Sequence, residues 1–261
     1  MLKINFKVDT DIIARLAISQ SLIPVDFANY LWEKYNNSYV EIQRRLKSEN
    51  IEFDIIRELQ QQSFFQDYLK QANDNLIRIE KNWIENEKDI NAFLLKTIKT
   101  DFNLNVICYI IPPQFMLGRK IYDNSFIWGH LKGLNDVNYD LVYLVHESLH
   151  SYFENDDLSH AIIEEIADKE LSKLLNKNNV EYNSHNSLIN EHVKIFPFWN
   201  LYLNKTTEEI KQEMQFRNIE YNINDFEKYR DMLCEMNIHQ FINFLKDKIK
   251  TINFKTTYKI I

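Results

Sequence analysis

His146-Glu147-Ser148-Leu149-His150, an H-E-x-x-H stretch, is the part of the chain on which the rest is organised. If it is helical, the two histidines lie four residues apart, so both imidazoles leave one face toward a common point where a divalent metal ion fits. Glu147 leaves the helix about a hundred degrees round from His146, placed to hold a water beside the ion rather than to ligate it, which is the position of a general base. The flanks favour the helix. Leu141-Val142-Tyr143-Leu144-Val145 precede the stretch and Tyr152-Phe153 follow it, an apolar character over most of the circumference that suits a buried helix, with Asn138 or Asp140 available to cap its start. As a strand the same residues would hold His146 and His150 roughly 13 Å apart, too far to share an ion. The alternative to a metal is a buried helix whose two histidines are only hydrogen-bonded.

Outside the motif, composition excludes several classes. The 261 residues are 45% hydrophobic and 13% aromatic, enough for a sizeable core. The formal charge of -7, with basic residues spread among acids, argues against a nucleic-acid surface. Cys108 and Cys234 are far apart, form no C-x-x-C pair and read as small core residues. Met1 to Asp11 carries charges where an export signal needs an apolar run, and no stretch approaches about 18 apolar residues, so no membrane association and a cytoplasmic location are expected.

The patterning predicts an α+β fold, mostly helical with a few strands. Residues 2–8 alternate with period two, as a half-buried strand does. Helical periods follow from Asp9 to Pro24, from Asp26 to Tyr35, over 39–48 and over 52–99. Asn105 to Ile111 is rich in β-branched residues and stops at Pro112-Pro113, as a buried strand would. All three glycines fall between Gly118 and Gly133. Between them Ser125 to Lys132 can form a strand, either an exposed edge onto which an extended peptide pairs or part of a hairpin with turn glycines. After the motif come a polar break at Glu154 to Asp157, a helix from about Ser159 to Leu175, and further helices over 208–217, 225–236 and 238–249, with a tail that could return to the sheet. Residues 191–202 mix aromatics around Pro197, and the asparagine-rich connector Asn176 to Asn190 receives no function. The chain thus divides into a mainly helical region over 1–100, a core over 101–175 and a helical region over 176–261.

A hydrolytic zinc site needs a third protein ligand and keeps a position for water. On a helical wheel of the helix after the break, Glu164 borders the apolar face of Ile163, Ile166, Ala167 and Leu171, whereas Glu165 points nearly opposite. Glu164 is therefore ranked first. Asp168, four residues on, could accept the outer N–H of a ligating histidine. Asp156 ranks second, because Phe153 occupies the position where a compact H-E-x-x-H-x-x-G-x-x-(H/D) turn requires glycine. His160, on the apolar side of the helix, ranks third. Glu164 and Glu165 could instead simply complement the helix N-terminus.

His146-Glu147-x-x-His150 followed by Glu164-x-x-x-Asp168 resembles the gluzincin clan of zinc metallopeptidases, over residues 105–175. The resemblance implies a zincin-like core, a small mixed sheet packed against the motif helix, with Zn2+ held by His146, His150 and Glu164, and hydrolysis of a peptide or protein substrate by a metal-activated water with Glu147 as general base. It implies that an edge strand binds extended substrate, for which Phe126 to Leu131 is the candidate, and that a Tyr or His steadies the oxyanion; His185, His192, Tyr202, Tyr221 and Tyr229 are available. The alternative is a non-catalytic zinc-binding or interaction protein on the same scaffold.

Overall fold

The computed structural model describes residues 1–35, 49–129, 137–177, 181–182, 185–220 and 222–249. The helical period over 39–48, His130 to Lys132 of the expected strand, Gly133, Tyr221 and the tail after residue 249 lie outside the described residues. The fold is α+β, mostly helical with a mixed four-stranded sheet. The chain forms two compact units, a sheet unit of Ile4–Glu85 with Asn105–Glu147, and a helical unit of Met1–Lys3, Asn86–Leu104 and Ser148–Ile261.

In the sheet unit the strands β1 (Leu2–Lys7), β2 (Leu104–Ile110), β3 (Gly118–Tyr122) and β4 (Ser125–Trp128) run in the order β1-β2-β4-β3. β2 buries alternate residues, Leu104, Val106, Cys108 and Ile110, as the period-two pattern requires. β4 pairs parallel with β2 and antiparallel with β3. Flanked on both sides, β4 buries all four of its residues. It is an interior strand, and the expectation that it offers an edge to substrate is overturned; β3 is the edge on that side. β3 turns into β4 through Asp123-Asn124, where Asn124 takes the left-handed conformation at φ 56° that asparagine tolerates in a tight hairpin.

Helices α1 (Thr10–Ser19), α2 (Val25–Tyr35), α3 (Glu49–Gln60) and the first part of α4 (Ser63–Ile98) complete the helical layer of this unit. Asp9 caps α1, its carboxylate accepting from the N–H groups of Asp11 and Ile12 at 2.9 Å each. Ile13, Ala17, Leu31, Ile55, Leu59 and Phe65 form one core with Ile111, Phe115 and Ile127.

The motif helix α5 (Val137–Leu149) buries Leu141, Val142, Leu144 and Val145. Asp140 lies in its first turn. Its fully buried carboxylate accepts the Trp128 indole N–H at 2.8 Å and pairs with Arg78, tying the helix to β4. Tyr143 stacks on Trp128 at 4.1 Å and donates its hydroxyl to Gly118 O at 2.8 Å. That close approach explains Gly118: a Cβ there would lie 2.5 Å from the Tyr143 ring and 2.6 Å from Trp128. Gly129 is likewise a close approach, to Ile111 and the Pro112 carbonyl, and neither described glycine serves a left-handed turn.

In the helical unit, α6 (Asp157–Glu164) passes into a π-helical stretch, Glu165–Leu171, and then α7 (Ser172–Asn176). α8 (Ile189–Tyr202), α9 (Thr207–Phe216), α10 (Asn224–Glu227), α11 (Arg230–Glu235) and α12 (Ile238–Lys248) follow. Pro197 lies inside α8, where it costs a backbone hydrogen bond. Burial outweighs that cost, because every residue from Ile195 to Tyr202 is buried. Trp199 stacks on Tyr202 and Tyr202 on Phe241, with ring centres 5.4 and 4.5 Å apart. Cys108 is buried in β2, whereas Cys234 is part exposed rather than core.

Candidate metal centre

The H-E-x-x-H stretch is helical through Leu149, and His150 opens a turn in which Phe153 N still donates to Leu149 O. His146 and Glu147 are buried in the last turn of α5. The His146 ring lies parallel to Tyr143, centres 5.8 Å apart and planes 10° apart. Because Trp128 and the Gly118 carbonyl fix Tyr143, that imidazole rests on a rigid platform.

The helical unit brings together His150, His160, Glu164, His185 and His192. Asp156 starts the arrangement by capping α6, accepting the Ser159 N–H at 2.8 Å and facing Lys246 Nζ at 3.2 Å. Its carboxylate is thus engaged as a cap. One turn into α6, the His160 ring meets His150 edge-on at 4.6 Å and His185 at 4.8 Å. A further turn on, Glu164 is fully buried. Its Oε1 lies 3.7 Å from His160 Nε2, accepts the His185 backbone N–H at 3.0 Å and contacts His185 Nδ1. Its Oε2 meets His192 Nε2 at 2.5 Å. The ligand atoms of His160, Glu164 and His185 all lie within 4.8 Å of one another, a nitrogen and oxygen set that could hold a metal ion.

Behind this group stands a charged relay. His192 Nδ1 meets Glu165 Oε1 at 2.8 Å, and Arg217 Nη1 donates to both oxygens of Glu165 at 2.9 Å. Arg217 also pairs with Glu181 at 3.0 Å and Glu213 at 3.3 Å. Burial alone would raise the Glu164 carboxyl, but hydrogen bonds from His192 and His185 outweigh it and hold the group at about 2. Burial would likewise lower His192, yet its bonds to the two carboxylates lift it to about 9. Desolvation opposes the charge on Glu165 too, and Arg217 with His192 holds it well below the ordinary glutamate range.

Against the wheel expectation of an outward face, Glu165 is as fully buried as Glu164. Its backbone is ordinary α-helix, φ -63° and ψ -41°, so it does point away from the Glu164 face; it is buried because His192 and Arg217 cover that second face. His192, Glu165 and Arg217 carried no local signal for a polar centre, since they come from separate elements. His185, in the asparagine-rich connector, was available from the sequence only as an oxyanion candidate and not as a partner of Glu164. Asp168 is buried on the π-helical stretch, and its backbone carbonyl accepts Tyr182 N–H at 2.9 Å. Tyr202 is a core residue, donating its hydroxyl to Thr97 O at 2.5 Å. No described helix is long and apolar enough to cross a membrane. No protein-family model, curated protein or solved structure matches the chain.

Proposed function

We propose that the protein is a zinc-dependent peptide hydrolase with a zincin-like core of gluzincin type. The observation that carries the reading is the helical H-E-x-x-H on α5, followed by an α6 that sets His160 against His150 and buries Glu164 one turn on. His146, His150 and Glu164 are the proposed zinc ligands, with His160 the alternative from the same helix face. Zinc held by these residues would supply a Lewis acid for a scissile carbonyl and lower the pKa of a water toward neutrality. Glu147 takes the proton of the attacking water and delivers it to the leaving amine. Tyr143, fixed between Trp128 and Gly118, keeps the His146 ring oriented.

The experiment pairs elemental analysis of the purified chain with digestion of a peptide library by wild type and Glu147→Gln. The expected result is stoichiometric zinc in both proteins and turnover only in wild type. Cleavage retained by Glu147→Gln would remove the general base from the reading. A non-catalytic zinc protein is the second reading, favoured by one feature: both oxygens of Glu164 are already engaged by histidines of its own unit. Bound zinc in a chain that cleaves no library peptide would decide for it.

A further inference from the structure

We infer that His160, Glu164 and His185 form a binding position for a late first-row divalent cation, zinc foremost, that needs neither His146 nor Glu147. The inference shares Glu164 with the hydrolase reading but rests on neither the H-E-x-x-H histidines nor turnover.

Three donors converge from two segments. α6 supplies His160 and Glu164 one turn apart on the same face, and the chain entering α8 supplies His185. A tetrahedral zinc with bonds of 2.0–2.2 Å spaces its ligand atoms about 3.4 Å apart. His160 Nε2 and Glu164 Oε1 already stand 3.7 Å apart, and all three ligand atoms fall within 4.8 Å. Small rotamer adjustments therefore suffice. Two imidazoles and one carboxylate suit zinc and its neighbours, whereas magnesium and calcium prefer oxygen alone.

The surroundings add what a ligand set needs. Metal-ligating groups are held by outer partners that fix their orientation. Here the second oxygen of Glu164 is held by His192, His192 by Glu165, and Glu165 by a two-fold bond from Arg217. The His185 backbone N–H on Glu164 ties the loop ligand to the helix ligand. Access is provided on one side, since the His185 side chain is 60% exposed while Glu164 is fully buried. A cation there lies against a desolvated carboxylate and keeps an open face for water or a further ligand.

The test titrates zinc alone into the chelator-stripped full chain and reads stoichiometry and affinity by calorimetry. The wild type is compared with His146→Ala/His150→Ala and with His185→Ala. His185 is exposed, so its truncation spares the fold, which circular dichroism verifies. The double variant is expected to keep a bound zinc, and adding His185→Ala to it to weaken that zinc by more than about tenfold. Loss of all binding in the double variant, or binding indifferent to His185→Ala, overturns the inference. Cobalt replacing zinc gives a second readout, because its visible spectrum changes when a histidine ligand is lost. The two proposals fail separately. Zinc lost with His146 and His150 but indifferent to His185 leaves the hydrolase reading alone standing, and zinc kept through His185 in a chain without turnover leaves the cation position alone.

Discussion

Replacing Arg217 by Met tests the charged relay behind the candidate centre. The guanidinium is nearly buried, with side-chain exposure of 10% against 0% for Glu165, and bonds both oxygens of that carboxylate. Methionine preserves most of the aliphatic packing but leaves Glu165 with only His192 among the partners named here. Removing one member of a buried ion pair costs about 3–5 kcal/mol, because the abandoned charge stays desolvated. For a chain of this size that lowers the melting temperature by on the order of 10 °C. The assay is thermal and urea unfolding of wild type, Arg217→Met, Glu165→Gln and the double variant. Glu165→Gln removes the stranded charge, so the double variant should recover part of the loss, with a coupling of about 0.5–3 kcal/mol. A single variant within about 1 kcal/mol of wild type, or strictly additive losses, would refute the claim that this ion pair organises the unit.

Three further outcomes follow from particular contacts. Stripping metal with a chelator should lower the melting temperature of zinc-loaded protein, and returning zinc should restore it, because a ligand that binds only the folded state stabilises it by an amount that grows with the logarithm of its free concentration over Kd; calorimetry with and without chelator reads this. Gly118→Ala should destabilise by about 1–3 kcal/mol, since the added Cβ collides with the Tyr143 and Trp128 rings, and urea titration followed by tryptophan fluorescence checks it. For pH, Glu213 is half-buried; desolvation would raise it, but Lys205, Arg217 and Lys173 pull it below the ordinary value of 4.5. A carboxyl depressed in the folded state contributes stability above 4.5 that disappears as pH falls through the folded value. Unfolding free energy should therefore decline on acidification below about pH 4.5, and Glu213→Gln should flatten that decline.

How far the sequence could be read depended on the range of each interaction. The strand at Leu2–Lys7 and the helices from Thr10 and Val25 were legible because period and capping residues are local. The motif helix was legible for the same reason, and so was α6 with its two candidate ligands. β3 was not, since Gly-Arg-Lys-Ile-Tyr alternates poorly and owes its place to the ladder with β4. α8 was hidden by Pro197, a local cost overridden by burial against Phe241 and its neighbours. The polar centre was half legible. His160 and Glu164 share one helix and can be paired by counting, but the partners that set their chemistry, His185, His192 and Arg217, lie 21 to 52 positions from Glu164 and Glu165.

The carboxylate of Glu165, next to the candidate ligand Glu164, is what joins that ligand to the rest of its unit. Adjacent residues of an α-helix point about 100° apart, so two consecutive carboxylates do not ordinarily address one imidazole. Here they do, with His192 Nε2 on Glu164 and Nδ1 on Glu165. The imidazole spans the two carboxylates with its opposite nitrogens, and Arg217 neutralises the second. Without that pairing Glu165 would be a buried charge with no cation, and His192 would lose one of the two bonds that fix its ring. Removing the second carboxylate's charge by Glu165→Gln should therefore loosen His192 and weaken zinc binding even though every proposed ligand is retained. If that variant folds and binds zinc as wild type does, the second carboxylate is incidental and Glu164 is positioned by α6 alone.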